Sequence, residues 1–152
     1  MKEPVVSRIL KYALYAVFVL GVIATATLPF MLDRYFTILY DVYSVESGYR
    51  LFILIFLTAI ALSSLWIVLE MIWMLRSIPQ GPFVMRNVRA LNRIGVVFFT
   101  MAAAFLGKCL LYVTFLTLLC GFLFIGGALF AFTFSALIRQ AIVFKEENEL
   151  TI

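Results

Sequence analysis

The sequence predicts an all-α integral membrane protein, a four-helix bundle with both termini in the cytoplasm, on three observations. Of the 152 residues, 65% are hydrophobic and 13% are charged, whereas soluble chains have about 45–50% apolar and about 25% charged residues. Four segments have the apolar length of a membrane span. The basic residues gather on one side of these spans. Disorder is excluded because disordered chains are poor in apolar and aromatic residues.

The predicted spans occupy residues 12–32, 51–75, 94–111 and 116–138 of a single transmembrane domain that covers residues 1–152. A helix needs about 20 apolar residues to cross the hydrocarbon core of a bilayer. The last two spans come from one apolar stretch that is too long for a single crossing, so a turn is placed at Tyr112–Phe115. Pro29 is expected to kink the first span.

The lysines and arginines predict the orientation of the spans. If both termini and the segment between the second and third spans lie on one side, that side holds nine of the twelve basic residues. These nine are Lys2, Arg8, Lys11, Arg76, Arg86, Arg89, Arg93, Arg139 and Lys145, and the other three are Arg34, Arg50 and Lys108. Because basic loops stay on the cytoplasmic side, both termini are predicted to be cytoplasmic.

Residues 82–93 are predicted to form a cytoplasmic amphipathic segment that runs into the third span. Prolines and a glycine at 77–82 end the second helix, and helical periodicity follows. The apolar side consists of Val84, Val88 and Leu91. The opposite side, the basic face, consists of Arg86, Arg89 and Arg93. The favoured interpretation is that the arginines contact lipid phosphates, because basic juxtamembrane helices follow from the topology rule alone. The alternative is that they dock an acidic partner.

The C-terminal tail, residues 139–152, is predicted to be cytoplasmic and is acidic near its end. Its polar group consists of Glu146, Glu147, Asn148 and Glu149. The three carboxylates are candidates to pair with the basic face, at about 0–1 kcal/mol for each exposed pair. Such pairing would orient the tail without holding the bundle together.

Two motifs stand out at the edges of the spans. The first is Gly81-Pro82-Phe83 followed by Asn87-Val88-Arg89-Ala90-Leu91-Asn92-Arg93-Ile94-Gly95, and the second is Glu146-Glu147-Asn148-Glu149-Leu150-Thr151-Ile152. Together they resemble a family of small bacterial membrane proteins catalogued as domain of unknown function 2975. The chain departs from that family at Ala90 and Asn92, where the family is often basic, and at Glu149, where it usually has aspartate.

The resemblance implies four spans in a bacterial cytoplasmic membrane and no known enzymatic activity. Genes of this family often stand next to one for a small helix-turn-helix regulator, which implies a membrane protein that binds or restrains a cytoplasmic transcription factor. The candidate partner-binding residues are Arg86, Asn87, Arg89, Arg93, Glu146, Glu147, Asn148 and Glu149. All of them lie on the predicted cytoplasmic side.

Glu70 is the one ionisable residue well inside a predicted span. Intramembrane acids are functional candidates by default. The alternative is structural: Glu70 reaches the interface or pairs with a juxtamembrane arginine such as Arg93. The sequence favours the structural role, because a single shallow acid makes a poor proton relay. Trp66 and Trp73 share the face of Glu70 by helical spacing.

Small residues recur every four positions on the fourth span, at Gly127, Ala131 and Ser135. Such a stripe lets two helices approach closely. We expect it to pack inside the bundle, with a homodimer seam as the alternative.

Cys109 and Cys120 lie symmetrically about the predicted turn and are expected at similar depth on neighbouring helices. A disulfide is possible there, but two free thiols are favoured, because equal depth does not make side chains face each other.

The composition argues against an enzyme and against bound cofactors. The sequence contains no histidine, which excludes histidine-based triads, metal sites and proton relays. No nucleophile–base pair, metal constellation or phosphate-binding loop is present, and two cysteines fall short of a metal site. Three arginines are too few to predict direct nucleic-acid binding.

The sequence therefore predicts a regulatory membrane protein with membrane lipid and a cytoplasmic regulator as partners. The alternative is a small transporter, channel or immunity protein that acts as a homo-oligomer. That alternative needs a polar path through the bundle, and only Glu70 and scattered hydroxyls such as Thr58, Ser63 and Ser64 are available to line one.

Overall fold

Four long helices make up the fold. The computed structural model describes residues 5–40, 47–76 and 83–150. The helices are α1 (Val5–Tyr40), α2 (Ser47–Arg76), α3 (Met85–Leu111) and α4 (Phe115–Leu150). All four are long and apolar enough to cross a membrane, which confirms the predicted all-α class and the number of candidate spans. The predicted helix breaker at 77–82 and the last two residues of the tail lie outside the described residues.

The helices extend beyond the predicted spans. α1 and α4 have 36 residues each, about 54 Å of helix for a hydrocarbon core of about 30 Å. The predicted amphipathic segment forms the first turns of α3 rather than a separate helix, and the tail continues α4 to Leu150. Hydropathy marks only the apolar part of a helix, whereas backbone hydrogen bonding continues past it. The break between α3 and α4, Tyr112–Thr114, coincides with the predicted turn.

The helices pack in chain order. α1 packs on α2, α2 on α3 and α3 on α4, and within the described ranges the backbone of α1 approaches neither α3 nor α4. The contact between α3 and α4 is by far the most extensive, and that between α2 and α3 is the smallest. Neighbouring helices are antiparallel, so Val5, Arg76, Met85 and Leu150 lie at one end of the bundle, the terminal end. The opposite end is the hairpin end.

The interior is small and apolar. Ile67, Ile94, Met101 and Ala131 form the buried cluster between α2, α3 and α4, and Phe98 and Phe124 are among the side chains that pack against it. Many large apolar side chains point outward instead, as expected where lipid surrounds a protein. Because lipid is as apolar as leucine, such helices associate through close packing and polar contacts rather than through the hydrophobic effect.

Polar contacts fasten α1 to α2 at both ends of their interface. Asp33 forms an ion pair with Arg50 at the hairpin end, and the Arg76 guanidinium donates to the Tyr15 hydroxyl at 2.5 Å near the terminal end. Between them the helices touch closely, because a Cβ on Gly21 would lie 2.8 Å from the side chain of Leu65. α1 is therefore held by α2 alone among the described elements.

The hairpin end also joins α2, α3 and α4. The rings of Tyr49 and Tyr112 meet edge-on with centroids 4.5 Å apart. Lys108 Nζ donates to Thr117 Oγ1 at 3.2 Å and lies 5.6 Å from the centroid of the Phe56 ring. The ammonium group near the break between α3 and α4 thus contacts both α2 and α4.

Ala131→Leu tests the close packing of α4 on α3. Ala131 is 3% exposed, so added methylenes must displace neighbouring side chains, and we expect a loss of about 1–3 kcal/mol of stability. The measurement is the unfolding midpoint in mixed detergent–SDS micelles, followed by circular dichroism.

The matched control is Ala136→Leu, because Ala136 is exposed on the same helix and its replacement should change stability by about 0.5 kcal/mol or less. Equal losses for the two variants would contradict the assigned α3–α4 interface.

Candidate functional site

The candidate site lies at the terminal end, where α3 begins. Val84 has an extended backbone with φ −125° and ψ 138°, and no side chain caps the helix that follows it. The backbone N–H of Asn87 donates to the carbonyl of Val84 at 2.9 Å. α3 thus starts abruptly after an extended residue, and its first two turns carry the predicted basic face.

The first turns of α3 separate a buried side from a basic side. Val88 and Ala90 are buried, and Asn87 is only 3% exposed. Arg86 and Arg89 are exposed. The periodicity therefore places the arginines correctly, but Asn87, a predicted partner-binding residue, belongs to the buried side. A partner at the exposed surface does not reach its side chain.

Arg93, the third residue of the basic face, is engaged inside the fold. Its Nε lies 2.5 Å from Oε1 of Glu70 on α2, and the Glu70 side chain is 2% exposed while that of Arg93 is 57% exposed. Oε1 is buried and accepts no well-aligned hydrogen bond, so the contact is mainly ionic. The guanidinium covers the buried carboxylate and neutralises it. The structure thus shows the pairing that the sequence offered as the structural alternative for Glu70.

Glu70 and its neighbouring tryptophans differ in burial although helical spacing puts them on one face. Trp66 and Trp73 are 37% and 47% exposed, whereas Glu70 is buried. Glu70 is drawn to α3 by the charge of Arg93, while the indole rings lie toward the surrounding membrane. The acid therefore contacts a fixed cation rather than an open polar path.

The small-residue stripe of α4 lies against α3. Ala131 and Ser135 are 3% and 2% exposed, and a Cβ on Gly127 would meet the Phe98 ring at 3.5 Å. Ser135 Oγ donates to the carbonyl of Val88 at 3.1 Å. The stripe thus packs against α3 of the same chain. The Ser135 hydroxyl adds a buried hydrogen bond to the start of α3.

The pairing of Val88 with Ser135 sets the register of the tail. Arg89 lies near the level of residue 134, and Glu146 lies twelve residues farther along α4, about 18 Å away. Glu146, Glu147 and Asn148 are exposed on this projecting part of α4, and the backbone of Glu149 continues the same helix. This register is unfavourable for the predicted pairing of tail acids with Arg89 or Arg93.

The two cysteines are half-buried free thiols. A Cβ on Gly121 would lie 3.7 Å from the Cβ of Phe105, so Cys109 is about level with Thr117 and Cys120 lies within about one helical turn of that level. The free thiols agree with the alternative that the sequence favours.

Hydroxyl groups within α2 donate hydrogen bonds to the backbone of their own helix. Thr58 Oγ1, Ser63 Oγ and Ser64 Oγ donate to the carbonyls four residues earlier, at 2.7, 2.8 and 2.9 Å. The interior between α2, α3 and α4 is filled by apolar side chains. The hydroxyl groups that the sequence offered for a polar path therefore bond to the backbone of α2. Within the described ranges, no group of three or more acids or cysteines could hold a metal ion.

No family model, curated protein or solved structure matches the chain. The resemblance to domain of unknown function 2975 therefore rests on the two sequence motifs alone.

Replacing Arg93 tests the coupling between the two charges. Arg93→Gln leaves the Glu70 carboxylate buried without a cation, and we expect a loss of about 2 kcal/mol of stability, less than for a fully buried pair because Arg93 is half-exposed. The double variant Glu70→Gln/Arg93→Gln should be more stable than Arg93→Gln alone. A double-mutant cycle of SDS unfolding midpoints measures this coupling.

Arg89→Gln is the matched control, since Arg89 is an exposed arginine one turn earlier and its loss should change stability by about 0.5 kcal/mol or less. Additive effects of the Glu70 and Arg93 substitutions would contradict a coupled pair.

Proposed function

We propose that the protein is a non-enzymatic regulatory protein of the bacterial cytoplasmic membrane that holds a cytoplasmic partner at its terminal end. In this proposal both chain termini are cytoplasmic, as the distribution of basic residues predicts. The observation that carries it is the exposure of Arg86 and Arg89 at the same end of the bundle as the acidic, helical projection of α4. Four spans provide the anchor, and this end provides the docking surface.

The docking surface has two parts of opposite charge. Arg93 is neutralised by Glu70, so Arg86 and Arg89 are the members of the basic face left to attract an acidic partner. The acids of α4 stand farther out, at Glu146 and Glu147, and suit basic groups on the same partner. A partner with charges of both signs would thus be fixed in one orientation, because complementary charges set register and speed encounter.

The nature of the partner follows from the family resemblance. A small helix-turn-helix regulator is basic on its DNA-binding side, since nucleic-acid affinity depends on lysine and arginine contacts with phosphates. The acidic end of α4 is suited to contact that side. A regulator held in this way would be kept from DNA at the membrane, and its release would restore DNA binding.

Removing residues 145–152 tests the contribution of the α4 projection. We expect the partner, taken as the product of the adjacent gene, to be lost from purified membranes, while the helix content and unfolding midpoint of the bundle stay unchanged. Co-purification after mild solubilisation measures retention.

The matched control for this truncation removes residues 151–152 only and should retain the partner. A chain that lacks residues 145–152 and binds the partner as well as the full chain would contradict the role of the tail.

Charge reversal at Arg86 and Arg89 tests the other part of the surface. Arg86→Glu/Arg89→Glu should weaken partner binding by at least about tenfold, equivalent to about 1.4 kcal/mol, and the wild-type complex should weaken as salt rises. Biolayer interferometry on nanodisc-embedded protein measures both effects. Arg8→Glu is the control, because Arg8 is exposed at the same end but on α1. Equal losses in all variants would indicate a general charge effect instead of a defined surface.

A further inference from the structure

An apolar groove runs along α1 toward the hairpin end. It has a volume of about 880 Å³ and is lined mainly by apolar and small side chains of α1, with Leu57 of α2 on the other side. The α1 residues that carry the argument are Ala24, Thr27, Met31, Arg34 and Tyr35. The volume falls within the range of ligand pockets, about 300–1,000 Å³. Within the described residues α1 contacts only α2, so neither α3 nor α4 covers the groove.

The lining of the groove changes from apolar to polar at Arg34. Toward the middle of α1 the lining side chains are mainly apolar. Toward the hairpin end a second depression has Asp33, Arg34 and Thr37 in its lining. Arg34 lies just past residue 32, the end of the first span predicted from the sequence, where we expect phospholipid headgroups to begin. Tyr35, which is 59% exposed, lies at the same level, as is typical of aromatic residues at membrane interfaces.

Arg34 carries a charge that the described residues do not neutralise. The neighbouring carboxylate of Asp33 is paired with Arg50 on α2, and the structure gives Arg34 no ion-pair partner within the described ranges. Among the described side chains, the guanidinium groups of Arg34 and Arg50 and the carboxylate of Asp33 therefore leave a net positive charge at the end of the apolar groove. An arginine beside hydrocarbon is unfavourable without a counter-ion.

We propose that this groove binds one anionic phospholipid, with an acyl chain along Ala24, Thr27 and Met31 and the headgroup phosphate on Arg34. The apolar lining fits the acyl chain, and the Arg34 guanidinium, which has no ion-pair partner among the described residues, fits the phosphate, to which arginine donates charge-assisted hydrogen bonds. A zwitterionic lipid supplies the same chain, but its own cation competes for the phosphate. The site is therefore expected to be selective by headgroup charge.

The test uses the full-length protein in neutral detergent, titrated with phosphatidylglycerol or phosphatidylcholine of identical chains and observed by native mass spectrometry. We expect phosphatidylglycerol to bind first and more tightly. Arg34→Gln should weaken its binding by about tenfold and leave phosphatidylcholine binding unchanged. Arg34→Lys should retain most of the affinity. Because the described residues give Arg34 no ion-pair partner, both variants should keep the wild-type unfolding midpoint.

Arg139→Gln is the matched control, since Arg139 is exposed on α4 near the terminal end, and it should not alter the first binding event. Ala24→Phe fills the groove and should weaken both lipids. Equal binding of the two lipids, or equal losses for Arg34→Gln and Arg139→Gln, would overturn the proposal. Occupation of the groove by a second copy of the chain, seen as a dimer that excludes lipid, would overturn it as well. If Ala24→Phe fails to fold, Arg34→Gln and Arg34→Lys still test whether the headgroup phosphate binds at Arg34.

Discussion

The ion pair between Glu70 and Arg93 is the constraint on which the arrangement of the two helix hairpins depends. A carboxylate that is 2% exposed inside a candidate span is unfavourable unless a cation neutralises it. α2 and α3 share the smallest helix–helix contact of the fold, so this pair contributes an unusually large part of what joins α1 and α2 to α3 and α4. Other contacts between the two hairpins involve aromatic rings, such as Tyr49 with Tyr112 and Phe56 with the Lys108 ammonium, and these tolerate small displacements that a short ionic contact does not.

The ion pair with Glu70 also separates Arg93 from Arg86 and Arg89, the other two arginines of the basic face. Helical periodicity alone places Arg86, Arg89 and Arg93 on one face of the helix. In the structure only Arg86 and Arg89 are free of Glu70, and Asn87 between them is turned inward. The hydrogen bond from Ser135 to Val88 holds the same turn from the side of α4. The start of α3 is therefore held by contacts from both α2 and α4, and it carries two exposed guanidinium groups.

Span length and periodicity were enough to predict four helices, the break near Tyr112 and the exposed positions of Arg86 and Arg89, because each depends on local pattern alone. The ends of the helices were not predictable in this way, since hydropathy ends where the hydrocarbon ends and helical hydrogen bonding does not. The burial of Asn87 was missed because a polar residue becomes a core residue only when tertiary neighbours surround it.

The register of α4 has a consequence for how a partner can be bound. Had the tail folded back as a flexible strand, its acids would compete with any partner for Arg86 and Arg89, and the surface would be self-neutralised. As a continuous helix, α4 carries Glu146 about 18 Å beyond Arg89, farther than two side chains can span. The basic groups of α3 and the acids near the end of α4 therefore stay separate, because the distance between them follows from the continuous backbone of α4.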